Sequence, residues 1–167
     1  MKQKEYNWKI SSSKIINANL KTVWDIISKE SNLELFHPYC KKNHAIKWSK
    51  EKSFDELEYL NGLVLKRKFS NWYEKEGYDL YINEKGKPAS YVSWRLQENN
   101  NKCKISITIS PYLYNQEVKI KSFFPFFMFI KPSLLKYLKS VLGGLKWYVE
   151  EGLVIRKNQF GEHSWFS

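Results

Sequence analysis

Few side chains in this sequence could act chemically on a bound molecule. Its three histidines, His37, His44 and His163, are scattered over a helix end, a strand-like alternation and the C-terminal tail. An imidazole titrates near neutrality and can move protons, so His37, beside Pro38, Tyr39 and Cys40, could do acid–base work at a pocket mouth. More commonly such a residue only terminates a helix, because the residue before proline avoids helical backbone. Arg67 stands among Leu65, Phe69 and Tyr73, on a face that should be apolar. A charge there must be paired or reach water. Glu58, across the Asn61-Gly62 turn, is the expected partner; alternatively Arg67 anchors a ligand carboxylate or phosphate. Tyr59 completes the set of polar candidates. No nucleophile motif or glycine-rich phosphate loop occurs, since neither Asn61-Gly62 nor Gly143-Gly144 has the required spacing. Cys40 and Cys103 are solitary, which excludes a disulfide framework and a zinc spacing. No catalytic residue, metal or cofactor is therefore assigned.

The elements that must position these groups are legible from periodicity. Trp8 to Ile16 alternates as a first strand. Asn17 to Asn19 can cap a helix over Leu20 to Ser28, in which Leu20, Val23, Trp24 and Ile27 share a face. A second short helical piece, Asn32 to Phe36, stops at His37-Pro38. From His44 the period becomes two: Ile46 and Trp48, Phe54 to Leu60, Leu63 to Tyr73, Gly77 to Ile82, Tyr91 to Leu96 and Cys103 to Ser110 read as consecutive antiparallel strands. In Phe54 to Leu60, Asp55, Leu57 and Tyr59 fall on one side. In Leu63 to Tyr73, Leu65, Arg67, Phe69, Asn71 and Tyr73 fall together. Asn61-Gly62 is the strongest hairpin signal and favours a tight turn with positive φ.

From Pro132 on, Leu134, Leu138, Val141, Leu142, Leu145, Tyr148 and Val149 recur at spacings of three and four, one apolar stripe on a helix of about five turns that Gly152 can end. The glycines at 143 and 144 cost about 1 kcal/mol each relative to alanine, so a sheet side chain such as Trp94, or a ligand, should come close there. The fold class expected is α+β: a strongly curved antiparallel sheet of about seven strands, two short helices after strand 1, and one long C-terminal amphipathic helix over an apolar cavity. Residues 1–152 form one ligand-binding domain, and residues 153–167 an aromatic tail packed on that domain or on a partner's.

Three strings, taken with this order of elements, resemble the START-related superfamily that includes polyketide cyclases, lipid-transfer domains and the major birch pollen allergen. IINANLKTVWDIISKESNLELFHP (Ile15 to Pro38) is similar to its opening, LKYLKSVLGGLKWYVEEG (Leu135 to Gly152) to its closing helix, and the Arg156 to Ser167 segment to the tail of a bacterial subgroup. The resemblance implies a helix-grip fold with a deep apolar pocket between sheet and final helix. On that fold the lining should include Trp24, Phe36, Leu57, Tyr59, Leu65 and Arg67. Phe69, Trp94, Leu138, Leu142 and Leu145 should complete it.

The function expected is binding of a hydrophobic small molecule, lipid or polyketide-like, by a carrier or sensor. The alternative is a cyclase- or dehydratase-type enzyme using polar groups in the same pocket, and the scarcity of such groups favours binding. Phe123, Phe124, Phe126 and Phe127, with Lys121 and Lys131, could dock on an anionic membrane surface, or line the pocket. A tail carrying Phe160, Trp165 and Phe166 could instead join a homodimer. The net charge is +11, from 28 Lys and Arg against 17 Asp and Glu. Its lysines are spread along the chain without an arginine cluster, so no nucleic-acid partner is expected. The opening MKQKEYNWKI has no apolar core of signal-peptide type, and Phe123 to Ile130, interrupted by Pro125, is far short of the roughly 20 residues of a spanning helix. The expected location is cytoplasmic.

Overall fold

The computed structural model describes residues 8–112 and 126–167. In chain order the elements are β1 (Ile10–Ile16), α1 (Leu20–Ile27), α2 (Leu33–Phe36), β2 (Cys40–Lys47), a single 3-10 turn (Lys50–Lys52), β3 (Phe54–Tyr59), β4 (Val64–Tyr73), β5 (Gly77–Asn83), β6 (Ser90–Asn99) and β7 (Lys102–Ser110). A wide π-type turn, Phe126–Ile130, then runs into α3 (Lys131–Glu151). The seven strands form one sheet in the order β1-β7-β6-β5-β4-β3-β2. Every neighbouring pair is antiparallel, and β1 and β2 are left as open edges. Thus β2 to β7 make a meander of local hairpins, while β1 pairs with β7, Ile10 opposite Ile109.

Local chemistry explains the boundaries. Asn19 caps α1, its Oδ1 accepting from Thr22 N at 2.8 Å, which satisfies one of the free N–H groups of a first helical turn. The β3–β4 connection differs from a two-residue turn. Tyr59 pairs with Leu63 across a three-residue loop, Leu60-Asn61-Gly62, in which Gly62 takes φ 85°. This is the hairpin that closes with a left-handed glycine after a type I-like turn. It shifts the register by one residue and sets Asp55 directly opposite Arg67. A bulge between Phe69 and Asn71 then reverses the facing of the end of β4. Trp72 therefore turns inward and stacks on Tyr78, with ring centroids 5.5 Å apart, whereas Tyr73, expected inside, is exposed.

α3 lies over the sheet and buries Leu134, Leu138, Val141, Leu142 and Leu145. Each such aliphatic side chain contributes about 1.5–3 kcal/mol on burial, which outweighs the roughly 1 kcal/mol cost of each of its two glycines. The close approach at Gly144 is made by the backbone of Phe36, not by Trp94: a Cβ there would stand 1.9 Å from the Phe36 carbonyl oxygen, while Gly143 faces the ring of Phe160. The tail after α3 folds back on α2, Ile155 N donating to Leu35 O and Asn158 N to Pro38 O, each at 3.0 Å. No helix among the described residues is long and apolar enough to cross a membrane.

Candidate ligand cavity

Between sheet and α3 lies a cavity of about 290 Å3, near the lower end of the range for small-molecule sites. Most of its wall is aliphatic: Leu57 and Leu65 from β3 and β4, Leu80 and Ile82 from β5, Ile107 and Ile109 from β7, and Leu134, Leu138 and Val141 from α3. Trp165 and Phe166 of the tail close one side. Phe166 stacks on Tyr59 with centroids 4.5 Å apart and packs on Tyr137 at 4.6 Å. His163 holds this tail in place. Its Nδ1 accepts from Trp165 N at 3.2 Å, so its Nε2–H donates to Ser133 O at 3.0 Å.

The wall carries polar groups at His37, Tyr59, Tyr137 and Arg67, and at Ser90 of β6, whose Oγ accepts from Tyr112 N at 3.0 Å. His37 ends α2, its backbone N–H donating to Leu33 O. Its Nδ1 accepts the Tyr39 backbone N–H at 3.2 Å and its Nε2 lies 2.9 Å from the Tyr137 hydroxyl, which is 2.9 Å from the Tyr59 hydroxyl. Burial, helped by the Arg67 charge, lowers the imidazole pKa to about 3. The ring is therefore neutral, and because Nδ1 accepts, its proton sits on Nε2. Burial also raises the Tyr137 hydroxyl to about 12 and Tyr59 well above its ordinary value, the Tyr59–Tyr137 pairing adding to the latter. Both hydroxyls stay protonated.

Arg67 is paired, but not with Glu58. Its Nε donates to Asp55 Oδ1 at 2.7 Å and its Nη2 to Asp55 Oδ2, with both side chains buried. Glu58 points to the other face and takes Lys41 at 2.6 Å. Burial alone would lower the arginine pKa; the Asp55 carboxylate more than offsets it and raises it instead. Asn43 Nδ2 adds a third donor to Asp55 Oδ2 at 3.1 Å. Cys40 and Cys103 are buried free thiols that burial pushes up to about 12 and about 11, so neither offers a thiolate.

Of the lining residues expected from sequence, Leu57, Tyr59, Leu65, Arg67, Trp94 and Leu138 reach the cavity wall. The others stand elsewhere. Trp24 donates its indole N–H to Glu74 at 3.1 Å and opens on a separate surface cleft with Trp48 and Trp72. Phe69 packs among Trp48, Trp72 and Tyr78. Phe36 wedges between Trp94 and Gly144, and Leu142 and Leu145 are solid core. Tyr137 was missed, although it stands three residues after Leu134 and four before Val141 on the same stripe.

Within the phenylalanine run, Phe123, Phe124 and Lys121 lie outside the described residues. Phe126 is no anchor: it is buried and stacks on Trp8 at 5.3 Å. Phe127 is half-covered, with Lys131 Nζ 4.9 Å from its ring centroid. The most exposed apolar groups here are Met128 and Phe129, at 60% and 67%.

No family model matches the chain, and no curated protein matches it in sequence. Solved structures do match. Ara h 8.0201 shares 11% identity at a TM-score of 0.57, over 86% of this chain and 98% of its own. The chain has the helix-grip fold. XoxI from Bacillus cereus shares it at a TM-score of 0.61 and 13% identity, over 83% of this chain and 92% of its own. DynU16, a putative protein of the dynemicin biosynthetic locus, matches at 0.64 and 13% identity, over 90% of this chain and 50% of its own. A helix-grip fold places a pocket between sheet and helix, and at such identities what fills that pocket is decided by its own side chains.

Proposed function

We propose that this protein binds a hydrophobic small molecule, lipid or polyketide-like, in the cavity between sheet and α3, as a carrier or sensor. The observation that carries this reading is a largely aliphatic cavity with few polar groups on its wall. Those groups lack a general base. The His37 nitrogens are both engaged, one accepting from Tyr39 and one carrying a proton toward Tyr137, and the Asp55 carboxylate is closed on Arg67 and Asn43. Proton abstraction needs a free basic atom within reach of the ligand, so binding is favoured over cyclase- or dehydratase-type catalysis.

Native mass spectrometry of the purified protein, followed by solvent extraction, tests it. The expected result is an apolar compound of near-stoichiometric amount that is released only on denaturation. Conversion of that compound to a new product on incubation would replace the binding reading with the enzymatic one.

We further propose peripheral docking through Phe127, Met128 and Phe129, which precede Ile130 on the cavity wall. Exposed apolar side chains next to Lys131 suit the boundary of anionic lipid headgroups. Replacing Met128 and Phe129 with serine is expected to reduce binding to phosphatidylserine vesicles by at least tenfold with the melting temperature within about 2 °C of wild type, since exposed positions contribute little to stability. Unchanged sedimentation with vesicles would refute the docking.

A further inference from the structure

The hydrogen bonds of the His37–Tyr137–Tyr59 chain on the cavity wall leave one proton over. His37 Nε2, Tyr137 Oη and Tyr59 Oη form a chain of three atoms joined by two contacts of 2.9 Å. Each atom carries one hydrogen: the imidazole is neutral with its proton on Nε2, and both phenols are protonated. Two hydrogens fill the two contacts. The third, on Tyr59 if Tyr137 donates to it and on Tyr137 otherwise, finds no acceptor among the described residues. Leaving a buried O–H unpaired costs about 1–3 kcal/mol, and all three residues lie on the cavity wall.

We infer that the cavity takes a neutral ligand whose polar end is one hydrogen-bond-accepting oxygen, a ketone or ester carbonyl, held by the hydroxyl left over in the His37–Tyr137–Tyr59 chain. The inference rests on the cavity being the ligand site. Its chemistry follows from what surrounds that hydroxyl. With Tyr137 donating to Tyr59, Nε2–H to Tyr137 to Tyr59 is a head-to-tail arrangement, in which each bond polarises the next and makes the terminal O–H a stronger donor. Arg67, the charged residue on the wall, is already closed around Asp55, so the pair presents no net charge to an anion. A carboxylate would lose its hydration without a free cation to replace it. The hydrocarbon part of the ligand lies along Leu65, Leu80, Ile107 and Leu138.

A matched pair of probes isolates the carbonyl. 2-Acetylnaphthalene and 2-ethylnaphthalene have the same rings and nearly the same size, and differ in one oxygen. Titrated into the wild-type protein and followed by amide NMR shifts, the ketone is expected to bind about 5–10-fold more tightly, the increment of one net hydrogen bond. In the Tyr59→Phe/Tyr137→Phe double variant the two should bind equally. 2-Naphthoate should bind wild type at least tenfold more weakly than the ketone, a comparison that needs no variant to fold. Equal affinities for ketone and hydrocarbon in wild type, or a ketone preference that survives in the double variant, would overturn the carbonyl assignment and leave the cavity as a binding site. Tighter binding of the naphthoate would do the same in favour of an anionic ligand. Failure of all three probes to bind would overturn the ligand site itself.

Discussion

Replacing Asp55 with alanine is expected to lower the free energy of unfolding by about 3–5 kcal/mol, because it leaves Arg67 as a buried charge with no counter-ion. Domains have about 5–15 kcal/mol in total, so this one change approaches the threshold of folding. The pair is held by register: Asp55 and Arg67 are cross-strand neighbours on β3 and β4, and both are buried. Attraction between them therefore has to compensate two desolvation penalties, and removing one partner leaves the other penalty standing. Urea denaturation at pH 7 measures the loss as a lower midpoint at similar slope. The Asp55→Leu/Arg67→Met variant should recover most of it, since apolar side chains of similar length need no counter-ion. A loss under about 1 kcal/mol for Asp55→Ala would mean that Arg67 reaches water through the cavity, in which case the pair is not a structural requirement.

The second large effect separates two adjacent glycines. Gly144→Ala is expected to cost about 3 kcal/mol, the upper end of overpacking, which corresponds to a fall in melting temperature of roughly 6–12 °C for a chain of this size. The new methyl would meet the Phe36 carbonyl oxygen at 1.9 Å. A backbone atom at the end of a short helix cannot swing aside, so α2 or α3 has to move, and both line the cavity. Gly143→Ala meets only the ring of Phe160, at 3.1 Å. That ring is half in solvent and can rotate away, while alanine brings up to about 1 kcal/mol of helix propensity. A change between zero and about 1 kcal/mol in the stabilising direction is expected. Equal losses at the two positions, measured by thermal unfolding, would show that close packing on α2 is not what glycine serves here.

These glycines mark how far sequence reasoning reached. A pair of helix-weakening residues in an otherwise apolar stripe signals a close approach, but propensity cannot name the neighbour, which is backbone from a helix of four residues. The strands, the two short helices and α3 were legible because each repeats its period over enough residues to stand out. Glu58 was the wrong partner for Arg67 because closeness to the turn does not decide pairing: a two-residue Asn61-Gly62 turn would set Glu56 opposite Arg67, the three-residue loop sets Asp55 there, and neither brings Glu58 across. Facing period alone favoured Asp55, which alternates with Leu57 and Tyr59. Five expected lining residues proved to be packed away from the cavity for a related reason. Inward facing is a property of a strand or helix, whereas a void is a property of how the layers diverge, and that divergence lies toward Ile82, Ile109 and Ile130 rather than over Trp24 and Phe69. The tail carried its own signal in Phe160, Trp165 and Phe166, yet nothing in their spacing said that two of them would become a wall of the site.

The placement of β1 has a consequence for assembly. β2 to β7 can form by successive hairpins whose partners are adjacent in sequence, while β1 has no strand to pair with until β7 has been made, Ile16 waiting for Cys103. Closing so long a stretch of chain is entropically costly and slow. α3 packs against β1 as well, so sheet edge and lid close together. Enclosing the cavity is thus coupled to the last non-local step, and a ligand that fills it would hold that late-forming seam shut, slowing its opening more than that of the meander.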